Sequence, residues 1–184
     1  MEVLQSIDVS LFYFINSTIA NPVTDKLMPF ITERDNWFIF YVLIWLYLFI
    51  KGGRRGKVAA LLILLLILFS DQFANNILKP LFQRVRPCHI LPNVHLLINC
   101  SDSYAFPSNH AVNNFAAATL FSNFYPAMKY FLFSGAFLVA ISRVMCGVHY
   151  PFDIFGGAIF GILYAWIIIY LWKAINRKLN FLPN

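Results

Sequence analysis

The sequence is short of charge: Lys, Arg, Asp and Glu make up 12% of its 184 residues, while 60% are hydrophobic. A soluble domain carries about 25% charged residues, so this composition excludes an ordinary soluble protein. The chain also lacks a Lys/Arg-rich run set in polar sequence, which argues against nucleic-acid binding despite a formal net charge of +6. Its first residues have neither a basic region nor a small-residue cleavage site, so we expect no removable signal peptide.

Long apolar stretches are abundant, and five of them predict membrane-spanning helices, at 37–50, 58–78, 111–124, 128–141 and 154–172. An earlier stretch, residues 7–20, is interrupted by polar side chains and predicts either an interfacial helix or a short sixth span. We therefore expect an all-α integral membrane protein, a bundle of five to six transmembrane helices with an N-terminal interfacial helix. The expected division is an amphipathic or interfacial segment over residues 1–36 and a transmembrane core over residues 37–184.

Basic residues concentrate in the turn at 51–57, which the positive-inside rule places in the cytoplasm. Alternation of the spans then brings the polar loops 79–109 and 143–153 together on the opposite face. That face still carries four cations, Lys79, Arg84, Arg86 and Arg143. Ion pairs with nearby acids are one explanation, and a bound anion is the other. In the same outer loop, Cys88 and Cys100 either form a disulfide or stay as free thiols.

The stretch from Ser142 to Asp153 places a cation, an imidazole and a carboxylate just before an apolar run. Pro151 suits the first turn of a helix, which puts His149 just outside that helix and Asp153 in its first turn. A carboxylate that holds one imidazole nitrogen leaves the other free to act as base or nucleophile. A helix cap with incidental charges is the alternative interpretation.

Together the outer segments offer cations, two imidazoles, a hydroxyl and a helix N-terminus around one place. Arg binds phosphate oxygens bidentately and Lys acts as a point charge, while a helix N-terminus favours an anion. This combination predicts a phosphate site with a nucleophile and an acid beside it. An iron site built from His110, His149 and Asp153 is disfavoured because the neighbouring cations would repel a divalent ion. We expect no metal and no other cofactor.

Three motifs follow one another in order: Lys79 with Arg86-Pro87, then Pro107-Ser108-Asn109-His110, then Ser142-Arg143 followed by His149 and Asp153. This order and spacing resemble the three-part signature of the type 2 phosphatidic acid phosphatase superfamily. The family usually has Gly where this chain has Asn109. Asn tolerates a positive φ better than most residues, so the turn can survive, but whether the Asn109 side chain also contacts substrate stays open.

The resemblance implies a role for each matching residue. His149 would attack phosphorus and form a phosphohistidine, Asp153 would orient it, and His110 would protonate the leaving oxygen. The residues that would hold the phosphoryl oxygens are Lys79, Arg86, Ser108, Asn109 and Arg143. Members of this family use no metal.

Two further polar residues have weaker assignments. Asp71 shares a helical stripe with Asn75 and Lys79, and we expect it either to pack into the bundle or to support the Lys79 end of that helix. Arg84 is expected either to contact a lipid headgroup or to face solvent.

The compact chain is similar to bacterial members that act on envelope lipids: lipid A 1-phosphatases, undecaprenyl-diphosphate phosphatases and phosphatidylglycerophosphate phosphatases. The resemblance implies a multi-pass lipid phosphatase of the bacterial inner membrane with its site facing the periplasm. Its expected partners are the lipid phosphate substrate and the bilayer, with no nucleic acid and no obligate protein partner. The alternatives are a lipid phosphotransferase that uses the same histidine and a non-catalytic protein that binds or transports a lipid phosphate.

Overall fold

A computed structural model describes residues 2–181, and every regular element in that range is a helix. The α-helices are α1 (Glu2–Tyr13), α2 (Pro22–Thr32), α3 (Asp35–Lys51), α4 (Gly53–Phe73), α5 (Lys79–Phe82), α6 (Pro87–Ile90), α7 (Asn109–Phe124), α8 (Lys129–Met145) and α9 (Pro151–Leu179). Short π-helical turns, Phe14–Thr18 and Ala74–Leu78, follow α1 and α4 directly.

Three helical stretches of the described chain are long and apolar enough to cross a membrane: Gly53–Ile90, Pro126–Met145 and Pro151–Leu179. A fourth is added if the bent pair Glu2–Thr18 and Pro22–Thr32, which turns by 113°, counts as one span. The predicted all-α membrane fold is therefore confirmed, but the predicted count of five to six spans is not.

The difference in count comes from α3 and α7, which form where spans are predicted but have only 17 and 16 residues. At roughly 1.5 Å per residue they are about 24 to 26 Å long. The hydrocarbon core of a bilayer is about 30 Å thick. Both helices are therefore shorter than a typical span.

Among the described residues, the most extensive helix contact joins α7 and α9, and two glycines of α9 allow a close approach there. A Cβ added at Gly161 would lie 2.2 Å from the Val112 carbonyl oxygen, and one at Gly157 would lie 2.8 Å from the Ser108 carbonyl oxygen. Small residues at this spacing let helix backbones approach closely. The contact holds the N-terminus of α7 against the first turn of α9, where the Ser108 N–H donates to the Asp153 carbonyl at 3.1 Å.

The N-terminal helices pack at the end of the bundle where α8 finishes. Phe12 is fully buried among side chains of α7, α8 and α9, and α2 packs through Met28 and Ile31 against Met145 and Cys146. The buried Asn16 side chain donates to the Met145 carbonyl at 2.9 Å. These contacts tie α1 and α2 to one end of the bundle. The division of the chain at residue 36 stays a prediction.

We expect Gly161→Ala to lower the free energy of unfolding by about 1–3 kcal/mol, because the added methyl must push α9 away from the Val112 backbone. Thermal unfolding in detergent would measure the loss as a lower midpoint. Gly135→Ala is the matched control: it lies inside α8, and an added Cβ there would meet nothing within 4 Å. In a helix that change is neutral or stabilising, so equal midpoints for the two variants would contradict the packing argument.

Candidate active site

His149 and Asp153 form a buried pair at the start of α9. Pro151 begins the helix, as predicted, so His149 lies just before it and Asp153 in its first turn. Asp153 Oδ2 accepts from the Tyr150 N–H at 2.8 Å and lies 3.3 Å from His149 Nδ1. The carboxylate therefore caps the helix and also faces the imidazole. A proton held on Nδ1 by Asp153 leaves the lone pair on Nε2.

Arg86 lies against that second ring nitrogen. Its Nη1 is 3.1 Å from His149 Nε2 and donates to the Val148 carbonyl at 3.1 Å. The other guanidinium nitrogens donate to the carbonyl and hydroxyl oxygens of Ser103 at 2.8 and 3.0 Å. An anion that approaches Nε2 would therefore meet a fixed, buried cation.

Lys79 is the second buried cation and is held by the same outer loop. Its Nζ donates to the Tyr104 carbonyl at 2.7 Å. Cys88 and Cys100 close this loop as a disulfide with a Cα–Cα distance of 6.4 Å, which decides between the two alternatives left open by the sequence. The acceptors for Lys79 and Arg86, Tyr104 and Ser103, follow the disulfide-closed segment within the same outer loop.

Arg143 and Ser108 leave polar atoms unpaired within the described residues. Arg143 donates through Nη1 to the Thr32 hydroxyl at 2.9 Å, but its buried Nε has no partner there. The Ser108 hydroxyl, at the N-terminus of α7, is also buried and unpaired. A buried polar atom without a partner is destabilising by roughly 1–3 kcal/mol. Both atoms therefore favour a ligand that can accept hydrogen bonds.

His110 lies two residues after Ser108 in the first turn of α7, with its ring near the Thr32 backbone. Arg143 and His149 both lie close enough to act electrostatically on His110. The two histidines that sequence analysis assigns to the site therefore lie at the same end of the bundle. Lys79, Arg86 and Arg143 in turn act on His149, so the three separate motifs converge.

Asn109 is the one predicted site residue whose side chain is directed elsewhere. Its amide donates to Asp71 Oδ1 at 3.3 Å and to Asn75 Oδ1 at 3.0 Å. Asn113 donates to the same Asp71 oxygen at 2.9 Å. Asn109 is also the first residue of α7 and has a helical backbone, so no left-handed turn is required there. Its side chain ties α7 to α4, and Asp71 supports that junction.

Two residues that sequence analysis did not assign to the site lie directly behind it. Arg84 Nη1 donates to Asp153 Oδ1 at 2.7 Å, and Nη2 pairs with the fully buried Asp8 of α1. Both ends of the Arg84 guanidinium are therefore paired inside the protein, and neither is directed to solvent or to a headgroup. An acid within an apolar helix is a functional hypothesis by default, and that rule, applied to Asp8 as it was to Asp71, would have marked it.

Within the described range, one trio of potential metal ligands comes together, Cys88, His89 and Cys100. Two of its members are joined in the disulfide. The trio weighed as an iron site, His110, His149 and Asp153, does not form such a group, and the cations around it are those that would repel a divalent ion.

The electrostatics of the site favour a neutral His149. Burial lowers the pKa of His149 well below its usual value of 6.5, and the nearby charges of Arg86, Arg143 and Lys79 lower it further. Protonation would place one more positive charge beside three cations at a buried ring, where solvent screens charge little. The uncharged ring keeps the lone pair that a nucleophile needs.

At one end of this helical membrane bundle, cations and two imidazoles cluster around unpaired donors. Such a cluster suits phosphoryl chemistry. The chain belongs to the PAP2 superfamily, whose family model matches residues 60–177. A lipid A 4'-phosphatase from Bacteroides thetaiotaomicron is 31% identical to this chain, and the match covers 98% of this chain and 83% of that relative. Other relatives are named undecaprenyl-diphosphatase. The resemblance to this superfamily and the prediction of a phosphatase are confirmed.

Two solved structures share the fold. LpxE of Aquifex aeolicus is 28% identical with a TM-score of 0.72, covering 89% of this chain and 95% of that one. A PAP2-type phosphatidylglycerolphosphate phosphatase from Bacillus subtilis is 26% identical with a TM-score of 0.72, covering 96% of this chain and 90% of that one. The fold is therefore that of membrane PAP2 phosphatases over nearly the whole chain.

The lowered pKa of His149 predicts activity on the acid side of neutrality. A group with a lowered pKa stays in its neutral form as the pH falls past 6.5, so we expect the acid limb of kcat/KM to lie well below that pH. The measurement is kcat/KM on a lipid phosphate between about pH 4.5 and pH 8, corrected for ionisation of the substrate. His89→Gln, at a half-exposed histidine, should give the same profile, and a corrected acid limb at or above 6.5 would contradict this assignment.

Proposed function

We propose that the protein hydrolyses a phosphate monoester or diphosphate on an envelope lipid through a phosphohistidine at His149. One observation carries this proposal: a buried imidazole, held on one side by Asp153, directs its other nitrogen toward Arg86. The unpaired Ser108 hydroxyl and Arg143 Nε lie in the same cluster of motifs and lack acceptors. Phosphoryl oxygens would supply those acceptors.

In the first step, His149 Nε2 would form a bond to phosphorus while the bond from phosphorus to the lipid oxygen breaks. The electron pair of the broken bond stays on the lipid oxygen, which takes a proton from protonated His110. Burial and the charges of Arg143 and His149 lower the pKa of His110 to about 3, so the protonated form requires the bound phosphate, whose negative charge favours it. The lipid product leaves with a hydroxyl or, from a diphosphate, with its remaining phosphate.

In the second step, water would attack phosphorus and give a proton to His110, and the N–P bond would break. Inorganic phosphate is released, and both imidazoles return to their starting protonation. Lys79, Arg86, Ser108 and Arg143 would hold the phosphoryl oxygens through both steps, helped by the backbone N–H groups at Asn109 and His110. Fixed positive charge around the transferring group is the main electrostatic contribution to such catalysis.

The substrate class follows from the surroundings of the site. Leu81, two residues after Lys79, and Phe155, two residues after Asp153, are 71% and 66% exposed, which suits acyl or polyprenyl chains that stay in the bilayer. Lipid A phosphate, undecaprenyl diphosphate and phosphatidylglycerophosphate are the three substrates we propose to test, at the periplasmic face of the inner membrane. A release assay on all three in one detergent would rank them.

Two other functions use the same groups. A phosphotransferase would pass the phosphoryl group from His149 to a second lipid, so the label would appear on lipid instead of as free phosphate. A binding or transport protein would use the cations for capture alone and would show no turnover. The histidine pair favours hydrolysis, because capture needs neither an oriented imidazole nor an acid beside it.

His149→Ala should abolish phosphate release, because the variant has no nitrogen to attack phosphorus. Release by the unchanged protein should persist in EDTA, since the cations and not a metal hold the phosphoryl group. The measurement is free phosphate from a lipid phosphate in detergent, with His89→Ala as the control that leaves the buried histidine intact. Full activity of His149→Ala would refute the mechanism, and a strict metal requirement would favour an iron-type site.

Arg143→Lys should lower kcat/KM by roughly 10–100-fold, because a planar group that can bind two phosphoryl oxygens is replaced by a single ammonium. The unpaired Nε would also be lost. Steady-state kinetics on the same lipid measure the change, and Arg177→Lys, an exposed position near the C-terminus, is the control. Unchanged kinetics in Arg143→Lys would remove Arg143 from the binding role.

A further inference from the structure

Arg84 connects two carboxylates that are both fully buried. Nη1 bonds to Asp153 Oδ1 at 2.7 Å, and Nη2 pairs with Asp8 Oδ2. The guanidinium also lies over the Tyr150 ring, 4.0 Å from its centroid. A buried carboxylate is tolerated only when it is paired, and Arg84 is the cation that pairs both of these.

Arg84 determines which oxygen of Asp153 faces the imidazole. Oδ1 is occupied by Arg84, while Oδ2 accepts from the Tyr150 N–H and faces His149 Nδ1. Because each oxygen has its own partner, the carboxylate cannot rotate without breaking a bond. The orientation of the His149 ring therefore depends on a guanidinium that does not touch the ring.

Asp8 holds the other half of that guanidinium. Its Oδ2 pairs with Arg84, and its Oδ1 accepts from the Phe152 N–H at 2.9 Å. The Phe152 amide lies in the first turn of α9, next to Asp153. One carboxylate of α1 thus fixes both Arg84 and the backbone that carries Asp153, although it lies 145 positions earlier in the chain.

We propose that Asp8 and Arg84 are positioning residues for the nucleophile, so that α1 forms part of the active site. This inference rests on the proposed function of His149. Two carboxylates and one guanidinium leave a net charge of −1 behind the imidazole. That charge offsets the positive charge that the ring gains when Nε2 bonds to phosphorus. Removing either residue would slow chemistry and leave phosphate capture unchanged.

Asp8→Asn tests the inference because it keeps the shape of the side chain and removes its charge. We expect kcat to fall about tenfold through a misplaced imidazole. The KM and the Ki for inorganic phosphate should stay within about twofold, since Lys79, Arg86 and Arg143 are untouched. Asp25→Asn is the matched control: it makes the same change in the same N-terminal region, but Asp25 pairs with His95 at 3.1 Å. We expect this control to leave kcat unchanged.

Arg84→Lys keeps a cation but loses the planar fork whose two ends reach the two carboxylates, so kcat should again fall about tenfold or more with an unchanged Ki for phosphate. This variant decides the question if Asp8→Asn does not fold. Because Asp8 acts through Arg84, adding Asp8→Asn to Arg84→Lys should lower kcat by less than it does alone.

Wild-type kcat in both single variants would overturn the inference, and so would equal losses of kcat and phosphate affinity. Trapping of radiolabelled phosphohistidine separates this outcome from failure of the proposed function. If His149→Ala still turns over, the proposed function fails. If His149→Ala is inactive and unlabelled while Asp8→Asn and Arg84→Lys match the wild type, only the positioning role fails.

Discussion

A buried cation must be held by acceptors, and the kind of acceptor decides what each cation of this site can do. Arg84 is paired with two carboxylates, so its charge is neutralised within the protein. Lys79, Arg86 and Arg143 are held by carbonyl and hydroxyl oxygens, and within the described residues none of them forms an ion pair. These three therefore keep their charge for an external anion.

The same distribution of charge explains the state of His149. With three unneutralised cations nearby and full burial, the ring is held in its neutral form, and the lowered pKa of His149 follows. Asp153 lies on the opposite side of the ring, where it faces Nδ1 and orients the imidazole. The arrangement therefore keeps the imidazole uncharged among cations, and an anionic substrate would relieve the repulsion between those cations.

Local sequence predicts the part of this site that local structure builds. Pro151 starts a helix at a known position, so the His149–Asp153 pair could be predicted from the spacing of these three residues. The Arg84–Asp8 pair could not, because 76 positions separate the two residues and no periodicity relates them. The role of Asn109 was missed for the same reason: its partners, Asp71 and Asn75, lie on α4 and in the π-helical turn that follows it. The sequence predicts spans from apolar stretches, but the helices that form at two of those stretches, α3 and α7, are shorter than a typical membrane span.

Arg84 and Arg86 belong to one short segment that contacts both members of the His149–Asp153 pair. Residues 83–86 are not helical, and the Arg84 carbonyl accepts from the Ala105 N–H at 2.7 Å. From this segment the Arg84 guanidinium reaches Asp153 and the Arg86 guanidinium reaches His149 Nε2. Their tasks differ because Asp8 reaches only the first. Under the proposed mechanism, the packing of α1 against α9 thus separates the arginine that orients His149 from the one left to bind the phosphoryl group.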